Sequence, residues 1–191
     1  MSTYQILTDS SCDMTQQMAD ALELVAVPLT VNYQGKEYPN YLDGRALDTA
    51  AFYHGLRSGE MTSTSAVNPA TWKAAAEAVF RQGQDVLILA FSSGLSTTFN
   101  AAFIAAQELL EEYPERKIYV VDTLCASMGQ GLLCYHVAQK RLEGATLEEA
   151  RDYAEANKLH LCHWFTVDDL MFLKRGGRIS GATAVMGSLL Q

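Results

Sequence analysis

Two stretches of this chain, "DVLILAF" (85–91) and "KIYVVDT" (117–123), are almost uninterruptedly apolar and of strand length. A strand that is apolar on both sides must be covered on both faces, which is the mark of a parallel sheet clad in helices. The segment between them, "TTFNAAFIAAQELLEEY" (97–113), has the length and pattern of the required crossover helix. The rest of the chain repeats the alternation. "YQILTD" (4–9) predicts a first strand, and "SSCDMTQQMADALEL" (10–24) a helix in which Asp13 and Gln16 have capping-box spacing. "VAVPLTVNY" (25–33) predicts a second strand, "QGKEYPN" (34–40) a turn with a short return strand, and "LDTAAFYHGLRSG" (47–59) a helix closed by Gly59. "EMTSTSAVNP" (60–69) reads as a polar loop. Asn68 is placed to cap a helix that Pro69 starts and Gly83 ends. "GQGLLCYHVAQKRLEG" (129–144) and "TLEEARDYAEANK" (146–158) predict two more helices, the second with Thr146 and Glu149 as a capping box.

The expected fold is therefore α/β, with a lobe at 1–158 built on a parallel, helix-covered sheet. From residue 159 the texture changes. "LHLCHWFTVDDLMFLKRGGRISGATAVMGSLLQ" predicts a strand, a short helix ended by Gly176 and a small-residue helix, the beginning of a second α/β lobe at 159–191. Met186, Leu189 and Leu190 on that last helix call for apolar partners, which predicts homo-oligomers or exposed apolar surface.

Composition removes several function classes. The formal net charge is −8 and the basic residues are scattered, apart from "KRGGR" (174–178), so a nucleic-acid surface is not expected. No segment approaches the roughly 20 apolar residues needed to cross a bilayer. The start, "MSTYQILTD", lacks the pattern of a signal peptide, and a cytoplasmic protein is expected. Cys12, Cys125, Cys134 and Cys162 have no metal-ligand spacing and read as buried small hydrophobes. The cluster His160, Cys162, His163 has no further ligands nearby, so no metal is expected.

In parallel sheets ligands bind beyond the carboxyl ends of the strands. Those ends carry Asp9, Ser10 and Ser11, then Ser92 and Ser93, then Asp122 and Thr123, and the hydroxyls of Thr62, Ser63, Thr64 and Ser65 could reach the same rim. Three chemistries compete for so many hydroxyls. A nucleophile, Ser93 or Ser96, would make the chain a serine hydrolase, but "SGLSTT" lacks the paired glycines of a nucleophile elbow and no histidine is placed to serve it. A nucleotide phosphate site lacks its loop, "GQGLLC" (129–134) having two of three glycines. Neutral hydroxyls with backbone N–H groups at a helix start suit a small anion such as one carboxylate.

"TDSSCDM", "TSTSA", "FSSGLSTTFNAA", "VVDTLCASMGQGLL" and "LMFLKRGGRISGATAVMGSLL" occur in the order and context of the DegV family, which this chain resembles over nearly its whole length. The resemblance implies binding of a long-chain fatty acid such as palmitate, stearate or oleate between an α/β lobe and a second lobe, with no other cofactor. It also implies presentation of the acid to an ATP-binding fatty acid kinase subunit, so that the chain is a lipid-binding protein and not itself an enzyme. Carried over by motif, the carboxylate contacts are Thr62 and Ser63, and Ser92, Ser93 and Gly94; Arg178 of "GGRIS" is a contact to the carboxylate or to the kinase. Thr97 stands where the family commonly has glycine, and "TSTSA" replaces the usual Thr-Ser-Gln-Pro-Ser. Family chains continue past the position of Gln191 with much of the lobe that covers the acyl tunnel, so either this chain is truncated or the missing cover comes from elsewhere.

Overall fold

The computed structural model describes residues 4–167, 169–180 and 183. The chain divides into two compact units, Met1–Leu161 and Cys162–Gln191.

The first unit is organised by a four-stranded sheet of β1 (Tyr4–Asp9), β2 (Leu24–Val27), β6 (Asp85–Ala90) and β7 (Ile118–Asp122), in the order β2-β1-β6-β7. All three pairings are parallel. The two apolar runs that predicted this sheet are β6 and β7. Side chains alternate between two cores because successive strand residues point to opposite faces. Ile6, Leu87, Leu89 and Val121 pack on one side with Leu133, Val137 and Ala150. Leu7, Val86, Ile88 and Ala90 pack on the other with Trp72, Ala102 and Leu109. The covering helices are α1 (Gln16–Ala21), α5 (Met128–Leu142) and α6 (Leu147–Asn157) for the first face, and α3 (Pro69–Phe80) and α4 (Thr98–Glu112) for the second. The chain leaves β1 toward β2 and leaves β6 toward β7, in opposite directions across the sheet, so the strand order reverses between β1 and β6. A crevice at such a switch point is where open α/β sheets bind ligands.

A smaller antiparallel sheet, in the order β4-β3-β5, is formed by β3 (Thr30–Tyr33), β4 (Lys36–Pro39) and β5 (Thr62–Ser65). It corrects two expectations. The predicted single strand 25–33 is two strands in different sheets, broken around Pro28, which has no N–H to donate to a ladder. The predicted loop 60–69 contains β5, whose exposed hydroxyl side chains hid the strand pattern. The small sheet is tied to the large one at Ser10, whose Oγ accepts from Leu29 N–H (3.0 Å) and Asn40 Nδ2 (3.2 Å). Helix α2 (Thr49–Arg57), capped by Asp48, follows β4.

Local signals mostly fall where the residues place them. Asn68 caps α3 with Pro69 in its first turn, and Thr146 with Glu149 forms the full capping box of α6. The first helix is the exception. Asp9 winds residues 10–12 into a 3-10 turn, Asp13 adopts a left-handed conformation, and α1 starts only after Thr15, whose side chain accepts from Met18 N–H (3.1 Å). Asp13 therefore does not cap α1.

Gly131 is needed for close approach. A Cβ there would stand 2.5 Å from Cys12 O, the backbone of the 3-10 turn. In an ordinary helix interior Gly→Ala gains up to about 1 kcal/mol. Here Gly131→Ala is expected to destabilise the protein by about 1–3 kcal/mol, because α5 must move off the turn. Thermal unfolding checks the sign.

In the second unit, α7 (Leu170–Arg175) is capped by Asp169 and followed by Gly176 and Gly177, the latter at φ 74°. The strand predicted to carry His160, Cys162 and His163, across the boundary of the two units, does not form; these residues and Trp164 are exposed in irregular chain. The alternation there was too short to separate strand from coil. Met186, Leu189 and Leu190 lie outside the described residues, as does the predicted final helix apart from Thr183, whose N–H donates to Ser180 Oγ (3.1 Å).

Candidate functional site

The carboxyl ends of β1, β6 and β7 converge on the turn Phe91–Gly94. Every backbone N–H of that turn is already engaged. Phe91 N–H donates to Asp9 Oδ2 (2.8 Å), Ser92 N–H to Cys125 O (3.3 Å), Ser93 N–H to Asp122 Oδ1 (3.1 Å) and Gly94 N–H to Ser92 Oγ (3.2 Å). Within the turn the backbone donors are therefore consumed by Asp9, Cys125, Asp122 and Ser92 itself, while at the helix start behind it Thr97 makes no side-chain cap bond. The donors that turn 91–94 itself has left for a ligand are hydroxyls. Ser92 is buried and its Oγ accepts from Gly94, leaving its own proton to give; Ser93 is exposed.

Asp9 anchors the turn from below. It is fully buried at the end of β1. Its carboxylate accepts from Ser11 N–H (3.2 Å), from the Ser11 hydroxyl, from Phe91 N–H (2.8 Å) and from Gln130 Nε2 (3.3 Å). Burial pushes its pKa above the ordinary carboxylate value, against the opposing pull of those hydrogen bonds. Gln130, itself buried, also donates to Thr8 Oγ1 (3.0 Å) and accepts from Ser11 Oγ (3.1 Å). "GQGLLC" is thus a helix-packing segment that reaches into this network, and Gln130 is a residue the sequence reading passed over. Its signal was a polar residue on the buried face of a helix.

The remaining candidates separate clearly. Ser96 Oγ accepts from Thr98 N–H (3.2 Å) and pairs with Thr98 Oγ1 (2.9 Å), closing the start of α4. Among the described residues neither Ser93 nor Ser96 hydrogen-bonds a histidine, and the hydrolase alternative gains no support. Thr97 sits at φ −79°, a conformation open to any residue, so the glycine usual at this position is not required. At Gly94 a Cβ would stand 3.5 Å from Ser92 Oγ, an ordinary contact.

Thr62 and Ser63 are neighbours on β5, so their side chains leave opposite faces of the small sheet. The Thr62 hydroxyl donates to Asn32 O (2.8 Å) across the ladder, whereas Ser63 is exposed. Thr62 can donate to a ligand only by releasing Asn32. β5 is an edge of its three-stranded sheet, which leaves one side of its backbone open. Arg178, in the second unit, is exposed and its guanidinium donates to Gly176 O within its own turn.

Cys12, Cys125 and Cys134 are buried, and burial pushes the Cys12 thiol up to about 11 and Cys134 well above the ordinary thiol range. They are inert packing groups, as expected; Cys162 is exposed, contrary to the same expectation. Among the described residues no group of three or more His, Cys, Asp or Glu is placed to hold a metal ion, and no helix is long and apolar enough to cross a membrane.

Comparison with known proteins gives a consistent result. The family model for the DegV family, described as "Uncharacterised protein, DegV family", matches residues 3–191. A DegV domain-containing protein of Clostridium perfringens is 46% identical over 190 residues, covering 100% of this chain and 65% of the relative. Among solved structures, a Thermus thermophilus DegV family protein, reported for its fatty acid binding, is 33% identical, with TM-score 0.84 over 99% of this chain and 65% of that one. A stearic acid-binding protein of Eubacterium ventriosum is 26% identical, with TM-score 0.82 over 96% of this chain and 63% of that one. The chain spans about 65% of the length of the curated relative. With the family model spanning residues 3–191 and a relative 46% identical over 190 residues, the chain belongs to the DegV family.

Proposed function

We propose that this chain binds a long-chain fatty acid at the carboxyl rim of its parallel sheet. The hydroxyls of Ser92 and Ser93 donate to the acid's carboxylate, with Gly94 in the same turn and Thr62 and Ser63 flanking it. The observation that supports this most is the state of the turn itself. Its backbone N–H groups are committed internally, and what it displays at the switch point of the sheet is a pair of neutral hydroxyl donors. Two hydroxyls suit a single carboxylate and fall short of a polyphosphate, which calls for cations as well. The fatty acid bound by the Thermus thermophilus relative is the second support.

Each methylene removed from water contributes about 0.8 kcal/mol, so the acyl chain supplies most of the affinity while the hydroxyls set the orientation. Palmitate, stearate and oleate are the expected ligands, and no metal or other cofactor takes part. The finer role is carried by the family resemblance. A cytoplasmic ATP-binding kinase subunit receives the bound acid and performs the chemistry, and Arg178 contacts the carboxylate or that subunit. Displacement of a fluorescent fatty acid by palmitate tests the reading. Saturable displacement is expected, and displacement by inorganic phosphate or a nucleotide in its place would remove it.

A further inference from the structure

Asp122 ends β7 and is half-buried, and a single atom of it joins two loops. Its Oδ1 accepts from Ser93 N–H (3.1 Å) on the turn after β6 and from Leu124 N–H (3.2 Å) on the turn after β7. Leu124 sits at φ 53°, a left-handed conformation that costs a non-glycine residue energy and persists only where its surroundings impose it. Other bonds hold the same pair of loops in register. Thr123 Oγ1 donates to Ala90 O (2.7 Å), Ser92 N–H donates to Cys125 O (3.3 Å), and Lys158 Nζ holds the Asp122 carbonyl (3.0 Å). Those bonds fix Ala90, Ser92 and the end of β7. Of the bonds between the two loops, the one made by Asp122 reaches Ser93.

We propose that Asp122 is a positioning residue for the ligand, its Oδ1 fixing the Ser93 backbone so that the Ser93 hydroxyl is aimed before the ligand arrives. The proposal rests on the fatty-acid reading above. It is a claim about an oxygen acceptor and not about charge; a carboxylate beside an anionic ligand is electrostatically unfavourable. An amide keeps the oxygen and removes the charge, whereas a methyl group removes both.

The test is palmitate binding by the parent, Asp122→Asn and Asp122→Ala, each alone and with Ser93→Ala. Asp122→Asn is expected to bind at least as tightly as the parent, and Asp122→Ala roughly ten-fold more weakly, one hydrogen bond's worth. In the Ser93→Ala background Asp122→Ala is expected to add little, because the two act through one group. Equal weakening in Asp122→Asn and Asp122→Ala, parental affinity in Asp122→Ala, or additive losses would each overturn the proposal. The Asp122→Asn result decides even where Asp122→Ala folds poorly. A parent that binds no palmitate removes the fatty-acid reading and the positioning role with it, an outcome distinct from a parent that binds while the variants fail the pattern.

Discussion

Asp9→Ala is expected to lower the midpoint of thermal unfolding by about 6–12 °C. Asp9 is fully buried and accepts four hydrogen bonds from three parts of the chain: Ser11, Phe91 and Gln130. Ser11 and Gln130 already bond to each other and can partly compensate. Phe91 N–H cannot, and a buried donor left without a partner costs about 1–3 kcal/mol. A total near 3 kcal/mol corresponds, at this chain length, to that shift. The same carboxylate gives a pH signature. Burial holds its folded pKa above the ordinary value of 3.8, so the folded protein keeps the proton to a higher pH than the unfolded chain does. Its contribution to stability is then full below about pH 4 and is lost as pH rises through the folded pKa, the reverse of an ion-paired carboxylate. Carboxylates nearer the surface, such as Glu60, Glu77 and Glu148, have pKa values lowered mainly by hydrogen bonds and slope the other way, so the informative quantity is the difference between parent and Asp9→Asn. The parent's advantage over Asp9→Asn should shrink as pH rises from about 4. Denaturant titrations across that range measure it; an advantage that grows would contradict the assignment.

Ser93→Ala is expected to weaken fatty-acid binding by about 10- to 150-fold with little change in stability. Among the described residues the exposed hydroxyl holds no structural bond, and a hydrogen bond to a charged group is worth about 1.5–3 kcal/mol. Ser96→Ala is the control that separates this site from the neighbouring helix start. Its loss falls on stability, about 1 kcal/mol for a lost hydrogen bond at the helix start, and leaves ligand affinity unchanged. If Ser93 were a nucleophile, ester turnover would vanish in Ser93→Ala at unchanged affinity. Thr62→Val is expected to affect binding less than Ser93→Ala, because the Thr62 proton is already given to Asn32 O.

The large sheet was legible because β6, buried on both faces, and β7, partly buried on both, leave unbroken apolar runs, and because Asn68–Pro69 and Thr146–Glu149 announce their helices within three residues. β5 was not, since a four-residue strand with exposed hydroxyls carries no apolar alternation. The start of α1 was misread for a different reason. Asp13 and Thr15 are both good caps, and the choice between them is made by Asp9, whose hold on Ser11 tightens the chain first. At the site the hydroxyl residues could be read directly from "SSGLS", as could the polar ends of the strands. Which donors remained free could not. The acceptors that take the Phe91 and Ser93 N–H groups lie 82 residues away in Asp9 and 29 away in Asp122, and only the fold brings them together.

The central claim is that these hydroxyls hold a fatty acid. Native mass spectrometry of the purified chain, with organic extraction of whatever is released on unfolding, tests it most directly. The prediction is a bound species whose mass matches palmitate, stearate or oleate, and which is strongly depleted in Ser93→Ala. Recovery of nucleotides or sugar phosphates, or of fatty acid in equal amount from parent and Ser93→Ala, would contradict it.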